Sequence, residues 1–277
     1  MSTVVTPGTG LVALCVALVI ASALVYRLAR LGPVPVVPGA AVRAVVQLGV
    51  VAAVLAAALT QLWSSLLVLA AMFAAAVFTA ARRADAGRSG IWLAVALGSG
   101  WAVVLALMLT TGVVPLKGAA VVPVGGIVLG GAMTATSLAA RRSLNIVHDR
   151  FGEIEAALSL GLSDRDAHLE LIRPAAADAL LPGVDQTRTV GLVTLPGAFV
   201  GVLVASGSAT QAAAVQILVL LGLMLAQSCA VAVTVELVAR GLVHRRHSSH
   251  APAPDGHAIR RWAAGRASWR HGRFRTS

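Results

Sequence analysis

A chain of 277 residues in which 58% are hydrophobic and 12% charged has about half the charged share of a soluble domain and too little polar surface to hydrate the exterior of a globule this size. That composition excludes a water-soluble fold and makes lipid the solvent for most of the sequence. The net charge of +11 does not point to nucleic acid, because most of it sits in residues 244–277, where Arg245, Arg246, Arg260, Arg261, Arg266, Arg270, Arg273 and Arg275 face Asp255 alone.

A helix needs about 20 apolar residues to cross the hydrocarbon. In chain order the candidate spans are 10–28, 39–59, 62–81, 90–114, 119–139, 190–205 and 212–239, which predicts an all-α polytopic membrane protein of about seven transmembrane helices. The first span has no basic segment before it and is followed by Tyr26, Arg27 and Arg30, the pattern of an anchor and not of a cleaved signal. Spans two and three, separated only around Thr60 and Gln61, form a tight hairpin. The sixth is short and is interrupted by Pro196 and Gly197. Cys15 and Cys229 fall inside apolar runs and read as small buried hydrophobes, with no disulfide framework or cysteine metal site. Gly126 with Gly130, and Gly197 with Gly201, have the spacing that lets helix backbones approach closely.

Basic residues set the orientation. Arg27 and Arg30 follow the first span; Arg82, Arg83 and Arg88 the third; Arg141 and Arg142 the fifth; Arg240, Arg245 and Arg246 the seventh. The alternate loops hold almost nothing basic except Lys117. The sequence therefore predicts a multi-pass protein of the inner (plasma) membrane with its N-terminus outside and its C-terminus in the cytoplasm. Residues 1–243 form the membrane domain and 244–277 a disordered basic cytoplasmic tail attracted to anionic membrane lipid.

Between the fifth and sixth spans the chain leaves the membrane over 141–188, which hold eight of the eleven acidic residues. Leu144, Val147, Phe151, Ile154 and Leu158 recur at helical spacing as one apolar stripe. Gly161 suits a left-handed helix end. Ser163 is an N-cap for a second helix with Asp164 and Asp166 in its first turn, and Pro174 terminates or kinks that helix. Two amphipathic helices joined by a glycine turn make a docking surface. Glu155, Ala156, Ala157 and Leu158, with Gly161 six residues after the glutamate and Pro174 thirteen after the glycine, resemble the EAA loop of ABC permeases. That resemblance implies a cytoplasmic coupling helix pair, 144–174, that inserts into a cleft on a separate ATPase subunit. Leu171, Ile172 and Arg173 stand where the pattern has Ile-x-Leu, and the polar Arg173 departs from it.

Further stretches, Arg43-Ala-Val-Val-Gln47-Leu48, Gly130-Gly-Ala-Met133-Thr-Ala-Thr-Ser137-Leu-Ala139, Val190-Gly-Leu-Val-Thr-Leu-Pro-Gly197 and Gln216-Ile217, resemble the FetB (YbbM) family of bacterial permeases. The resemblance implies the membrane subunit of an ABC transporter that exports iron or another metal ion, working as a homodimer beside its ATPase. The family pattern has two methionines after the Leu-Pro-Gly turn and asparagines in the fifth span. This chain has Ala198, Phe199, Val200 and Val202 in the first place and Gly131 and Thr134 in the second, so those metal-ligand types are absent.

Polar groups inside spans usually face the bundle interior or a wet cavity. Arg43 and Gln47 share a helix face, and Arg43 either snorkels to the membrane edge or joins a path. Thr134 and Ser137, beside Met133, together with Gln216, Gln227 and Ser228, either line a path or form helix–helix hydrogen bonds. Pro196 and Gly197 free backbone carbonyls at membrane depth, as a hinge or a carbonyl site. Glu236 pairs with Arg240 at i,i+4. His244, His247, His250, His257 and His271 lie in the basic tail as a metal-sensing cluster or as plain surface.

The single lysine, Lys117, is not in a Gly-Lys-Ser/Thr P-loop, so this chain is expected to bind no cofactor and ATP to be hydrolysed by the partner subunit. An ATP-independent carrier would show internal repeats and charge at mid-membrane, and a permease for a non-metal substrate stays open beside the metal exporter. A membrane enzyme would gather His, Asp or Glu at one membrane face; His148, Asp149 and His168 are too scattered for that, so the chain is read as no enzyme.

Overall fold

The computed structural model describes residues 8–58 and 61–245. Ten α-helices account for almost all of them: α1 (Thr9–Leu28), α2 (Val36–Ala58), α3 (Leu62–Ala84), α4 (Leu93–Thr110), α5 (Gly118–Asp149), α6 (Phe151–Ser159), α7 (Asp164–Ala177), α8 (Leu181–Thr189), α9 (Gly197–Ser206) and α10 (Ala209–Ala239), with short 3-10 turns at Gly87–Trp92 and Asp178–Leu180. Among the described residues the one β feature is an isolated bridge between Val190 and Thr194. Six helices (α1, α2, α3, α4 with its leading turn, α5 and α10) are long and apolar enough to cross a membrane. The chain is an all-α polytopic membrane protein.

It divides into two compact units, residues 1–72 with 108–125 and residues 73–107 with 126–277. In the first, α1 packs on α2, and α1 has no buried residue at all. A helix apolar on every side cannot sit in water without large loss of hydration free energy, but loses nothing against acyl chains. Cys15, expected to be buried, is exposed on this helix, and Cys229 is half-buried on α10. Their surroundings are apolar because lipid supplies them, not because a protein core does. The turn expected around Thr60 lies outside the described residues at its centre, 59 and 60.

The second unit is organised around α10. Where this helix passes Leu223 to Gln227, three glycines from three other helices meet it. A methyl group on Gly100 of α4 would collide with the Ala226 carbonyl, one on Gly131 of α5 with Leu223, and one on Gly183 of α8 with the Gln227 side chain. Helices in lipid gain little from apolar burial between them, so close backbone approach and van der Waals contact must hold them. Of the two glycine pairs singled out by spacing, Gly130, Gly197 and Gly201 behave otherwise and have open space around them. Spacing alone marks glycines but not which face of the helix is used. On the other side of α4, Gly98 lies against the Phe73 ring, which stands 5.5 Å from that of Trp101.

Two boundaries differ from those predicted. α5 runs 32 residues, about 48 Å, so it continues past Arg141 well beyond a hydrocarbon layer of about 30 Å. The expected sixth span, 190–205, is helical only from Gly197 to Ser206, ten residues or about 15 Å, and Pro196 is its N-cap and not a break within it. Proline has no N–H to donate and tolerates only the first turn of a helix. The helix starts after Pro196 for that reason, and 190–196 stay non-helical.

Gly100→Val is expected to lower stability by about 1–3 kcal/mol, the usual scale of overpacking, while Gly130→Ala, with open space, leaves it unchanged or raises it. Melting midpoints of the two variants in detergent, followed by size-exclusion chromatography after heating, check this.

Candidate functional site

The polar segment folds as an elbow. α5 ends at Asp149, and Arg150 breaks the helical path with φ −115° and ψ 30°, so the expected single helix through Leu144 and Leu158 is two, α5 and α6. The Arg150 guanidinium ion-pairs with Glu153 and holds that carboxyl below the usual carboxylate range. After α6, Gly161 takes φ +92°, a left-handed conformation that costs a residue with a Cβ about 1–2 kcal/mol. Ser163 then caps α7 as expected: its Oγ accepts from the Asp166 amide at 3.2 Å and donates to the Asp166 carboxylate at 2.7 Å. Asp164 and Asp166 occupy the first turn, where the helix dipole favours negative charge.

α7 buries Ala167, Leu169, Ile172 and Ala176 and packs along α10, while α6 packs on α7. Pro174, expected to stop or kink the helix, sits inside α7, which continues to Ala177. Burial of the inner face on both sides of the proline holds the helix together where one backbone hydrogen bond is missing. Nothing in the sequence spacing marked the tie that anchors this helix: Arg165 donates to both oxygens of Glu236 on α10, at 2.7 and 2.8 Å. The expected Arg240–Glu236 bond is present as well, at 2.6 Å. Glu236 raises the Arg165 pKa further. Farther along, Arg142 of α5 lies 2.6 Å from the Asp178 carboxylate, as an ion pair without a well-aligned hydrogen bond.

The residues expected at a docking surface separate into two layers. Glu155, Ala156, Leu158 and Gly161 are exposed, Ala157 is half-buried, and Ile172 is fully buried beneath them. Pro174 is exposed on the far part of α7. Around the elbow stand four large apolar side chains: Phe151 is 57% and Leu160 83% exposed, with Leu158 and Leu162 each 38%. Of the predicted stripe, Leu144 and Ile154 are buried, so it turns one half inward and leaves the other half in the open.

The candidate path residues do not form one cluster. Arg43 and Gln47 are exposed on α2, in the first unit. In the second, Thr134 and Ser137 give their hydroxyls to carbonyls of their own helix, Gly130 at 3.0 Å and Met133 at 2.6 Å, which is the ordinary way a hydroxyl is satisfied in a membrane helix. Met133 is half-buried and Gln216 buried on α10, with the Gln216 Oε1 lacking a protein partner. Pro196 is half-buried and Gly197 exposed. No group of three or more His, Cys, Asp or Glu that could hold a metal ion occurs among the described residues. His247, His250, His257 and His271 lie outside the described residues.

Comparison with known proteins places this architecture. The chain belongs to the Uncharacterised protein family (UPF0014), which it matches over residues 10–243. It is 35% identical to "UPF0014 membrane protein STAR2" of Oryza sativa subsp. japonica over 66% of this chain and 65% of that protein. It is 30% identical to "Protein ALUMINUM SENSITIVE 3" of Arabidopsis thaliana, over 64% and 66% respectively. To "Probable iron export permease protein FetB" of Escherichia coli (strain K12) it is 31% identical, over 56% and 60%. The chain thus spans just under two thirds of the length of the two plant relatives. No solved structure matches it. The rice and Escherichia coli relatives carry the names of a membrane protein and of a permease, not of an enzyme, in keeping with the expectation that this chain is not one.

Ser163→Ala removes one cap, worth about 1 kcal/mol, and is expected to speed amide exchange in the first turn of α7 about fivefold. Gly161→Val, at φ +92°, disturbs both helices of the elbow by about 1–2 kcal/mol. Hydrogen–deuterium exchange of the detergent-solubilised protein, read on peptides covering 155–170, distinguishes the two patterns.

Proposed function

We propose that this chain is the membrane subunit of an ATP-driven exporter of metal ions, with a separate ABC ATPase docking on the α6–α7 elbow. The observation that carries this reading is the elbow itself. Two short helices meet at a left-handed glycine, present Glu155 and exposed apolar side chains outward, and are fastened to α10 by Arg165 and Glu236. A surface that exposes Phe151, Leu158, Leu160 and Leu162 together outside the membrane has the mixed apolar and charged make-up of a partner site. The match of Glu155, Ala156, Ala157 and Gly161 to the coupling loop of ABC permeases supports an ATPase as that partner. ATP is bound and hydrolysed there, since this chain's one lysine is in no P-loop.

The basic residues that close the apolar stretches of α1, α3, α5 and α10 support an orientation with the elbow and the C-terminus in the cytoplasm and the N-terminus outside. Two copies of the chain complete the transporter, as ABC transporters have two membrane halves. A metal cargo draws support from the names of two relatives, one a probable iron export permease and the other a protein of aluminium sensitivity. A second reading, export of a non-metal solute, is favoured by the lack of any group of three or more His, Cys, Asp or Glu among the described residues.

Glu155→Arg combined with Leu160→Asp is expected to abolish co-purification with the ATPase while leaving the permease folded in the membrane; complex that survives both changes would sink the docking site. Cells lacking the gene should accumulate iron, manganese or another metal by severalfold under metal load, measured by elemental analysis. Unchanged content of every metal would favour the non-metal reading.

A further inference from the structure

The joint between α3 and α4 is short and tightly built. Both arms are apolar enough to cross a membrane, and only Asp85 and Ala86 separate α3 from the 3-10 turn that leads α4. Two consecutive spans so joined put their joint at a bilayer surface whatever their tilt, since Arg82, Arg83 and Arg88 exclude it from the hydrocarbon. Ile91 and Trp92, at the start of the second arm, are exposed, as suits a helix passing the headgroups. Asp85 and Gly87 reverse the chain at φ +55° and +54°. Gly90 then passes so close to α3 that a Cβ on it would stand 2.4 Å from that of Ala81.

The same joint is fastened to the segment after α10. The buried Ser89 Oγ accepts from the His244 amide at 3.1 Å and shares its own proton between the Ala86 and His244 carbonyls, at 2.6 and 2.9 Å. Between the two segments lies an open cavity of about 940 Å³. Its charged lining is Arg82, Arg88 and Arg245, with Asp85 as the one carboxylate and His244 beside them.

Two of these guanidinium groups are held in place. Arg245 donates to the Asn145 Oδ1 of α5 at 2.6 Å, and Arg82 stands 5.7 Å from the centre of the Phe78 ring, within cation–π range. Among the described residues, Arg82, Arg88, Arg245 and Asp85 form no ion pair. Three like charges brought to one cavity from three segments repel one another unless an anion joins them. The sequence beyond Arg245 is arginine-rich, with Asp255 as its one acid, and adds to the positive charge.

A phosphate group suits such a cavity, because its oxygens accept the paired N–H groups of a guanidinium fork. The apolar side of the cavity narrows the choice of phosphate. It is formed by Phe78 and Ala81, and Phe78 is 64% exposed on the membrane-crossing part of α3. A free phosphate would use only the arginines; a phospholipid uses both halves. We propose that this cavity binds the headgroup of an acidic phospholipid, with Arg82, Arg88 and Arg245 on the phosphate oxygens and Phe78 against the start of an acyl chain. The site stands apart from the elbow and does not rest on the exporter reading.

Native mass spectrometry tests this on the full chain, stripped of lipid in detergent and titrated with dioleoylphosphatidylglycerol or dioleoylphosphatidylcholine. High salt in the titration screens exposed arginines of the tail more than guanidinium groups in a cavity. One phosphatidylglycerol should be held about tenfold more tightly than phosphatidylcholine. Arg82→Gln with Arg88→Gln should remove that preference, while the charge-matched Arg27→Gln with Arg30→Gln, on exposed residues of the first unit, should keep it. Asp85→Asn removes the one carboxylate and retains a residue type that tolerates positive φ. It should tighten binding about threefold, a gain that a misfolded chain would not show. Equal losses from the two arginine pairs, or no gain from Asp85→Asn, would reduce the effect to general surface charge and overturn the site. Displacement of the lipid by an equal concentration of inorganic phosphate would assign the arginines to a soluble anion and overturn the lipid.

Discussion

Everything in the second unit depends on three helices reaching one turn of α10 at van der Waals distance. Water drives apolar side chains together, but lipid does not, so a membrane bundle holds by contact and by polar groups that find partners inside it. Gly100, Gly131 and Gly183 remove the side chains that would keep α4, α5 and α8 apart from Ala226 and Gln227. The Gln227 amide, bracketed by two of them, is the one large polar group admitted to the joint.

The same geometry joins the elbow to the interior. From Asp164 to Thr189 the chain is helical almost throughout, as α7, one 3-10 turn and α8. Its outer end is held by Arg165 on Glu236, its middle by Asp178 on Arg142, and its inner end by Gly183 on Gln227. A force applied to the elbow by a docked partner would travel along a rod and not through a slack loop. It would arrive where the backbone is least regular, at 190–196, where a small shift changes the most.

Much of this was legible beforehand. Six of the seven apolar runs became long helices, because about 20 apolar residues in lipid leave the backbone no other way to satisfy its hydrogen bonds. Gly161 and Ser163 act as turn and cap because their signals are local, a residue without Cβ and a hydroxyl at the right distance from a free amide. Pro174 misled, since its local cost is outweighed by burial of Leu169, Ile172 and Ala176 against a helix more than fifty residues away in sequence. The same limit hid the Arg165–Glu236 tie: a charge at i,i+4 advertises itself, a charge across the fold does not. The polar composition of 181–189 read as loop, since nothing in a single sequence says that a glycine within it will meet a glutamine in the middle of the last span.

Assembly carries a final consequence of the split between α8 and α9. A segment of nine residues with an aspartate and an arginine is rejected by the hydrocarbon when it stands alone, and the ten apolar residues of α9 are too few to hold a position by themselves. α9 enters as the short arm of a hairpin with α10, over the tight corner at Gly207 and Ser208. α8 follows only when the last span is already in place to receive Gly183. The last span must therefore be made before the segment ahead of it can take its final place.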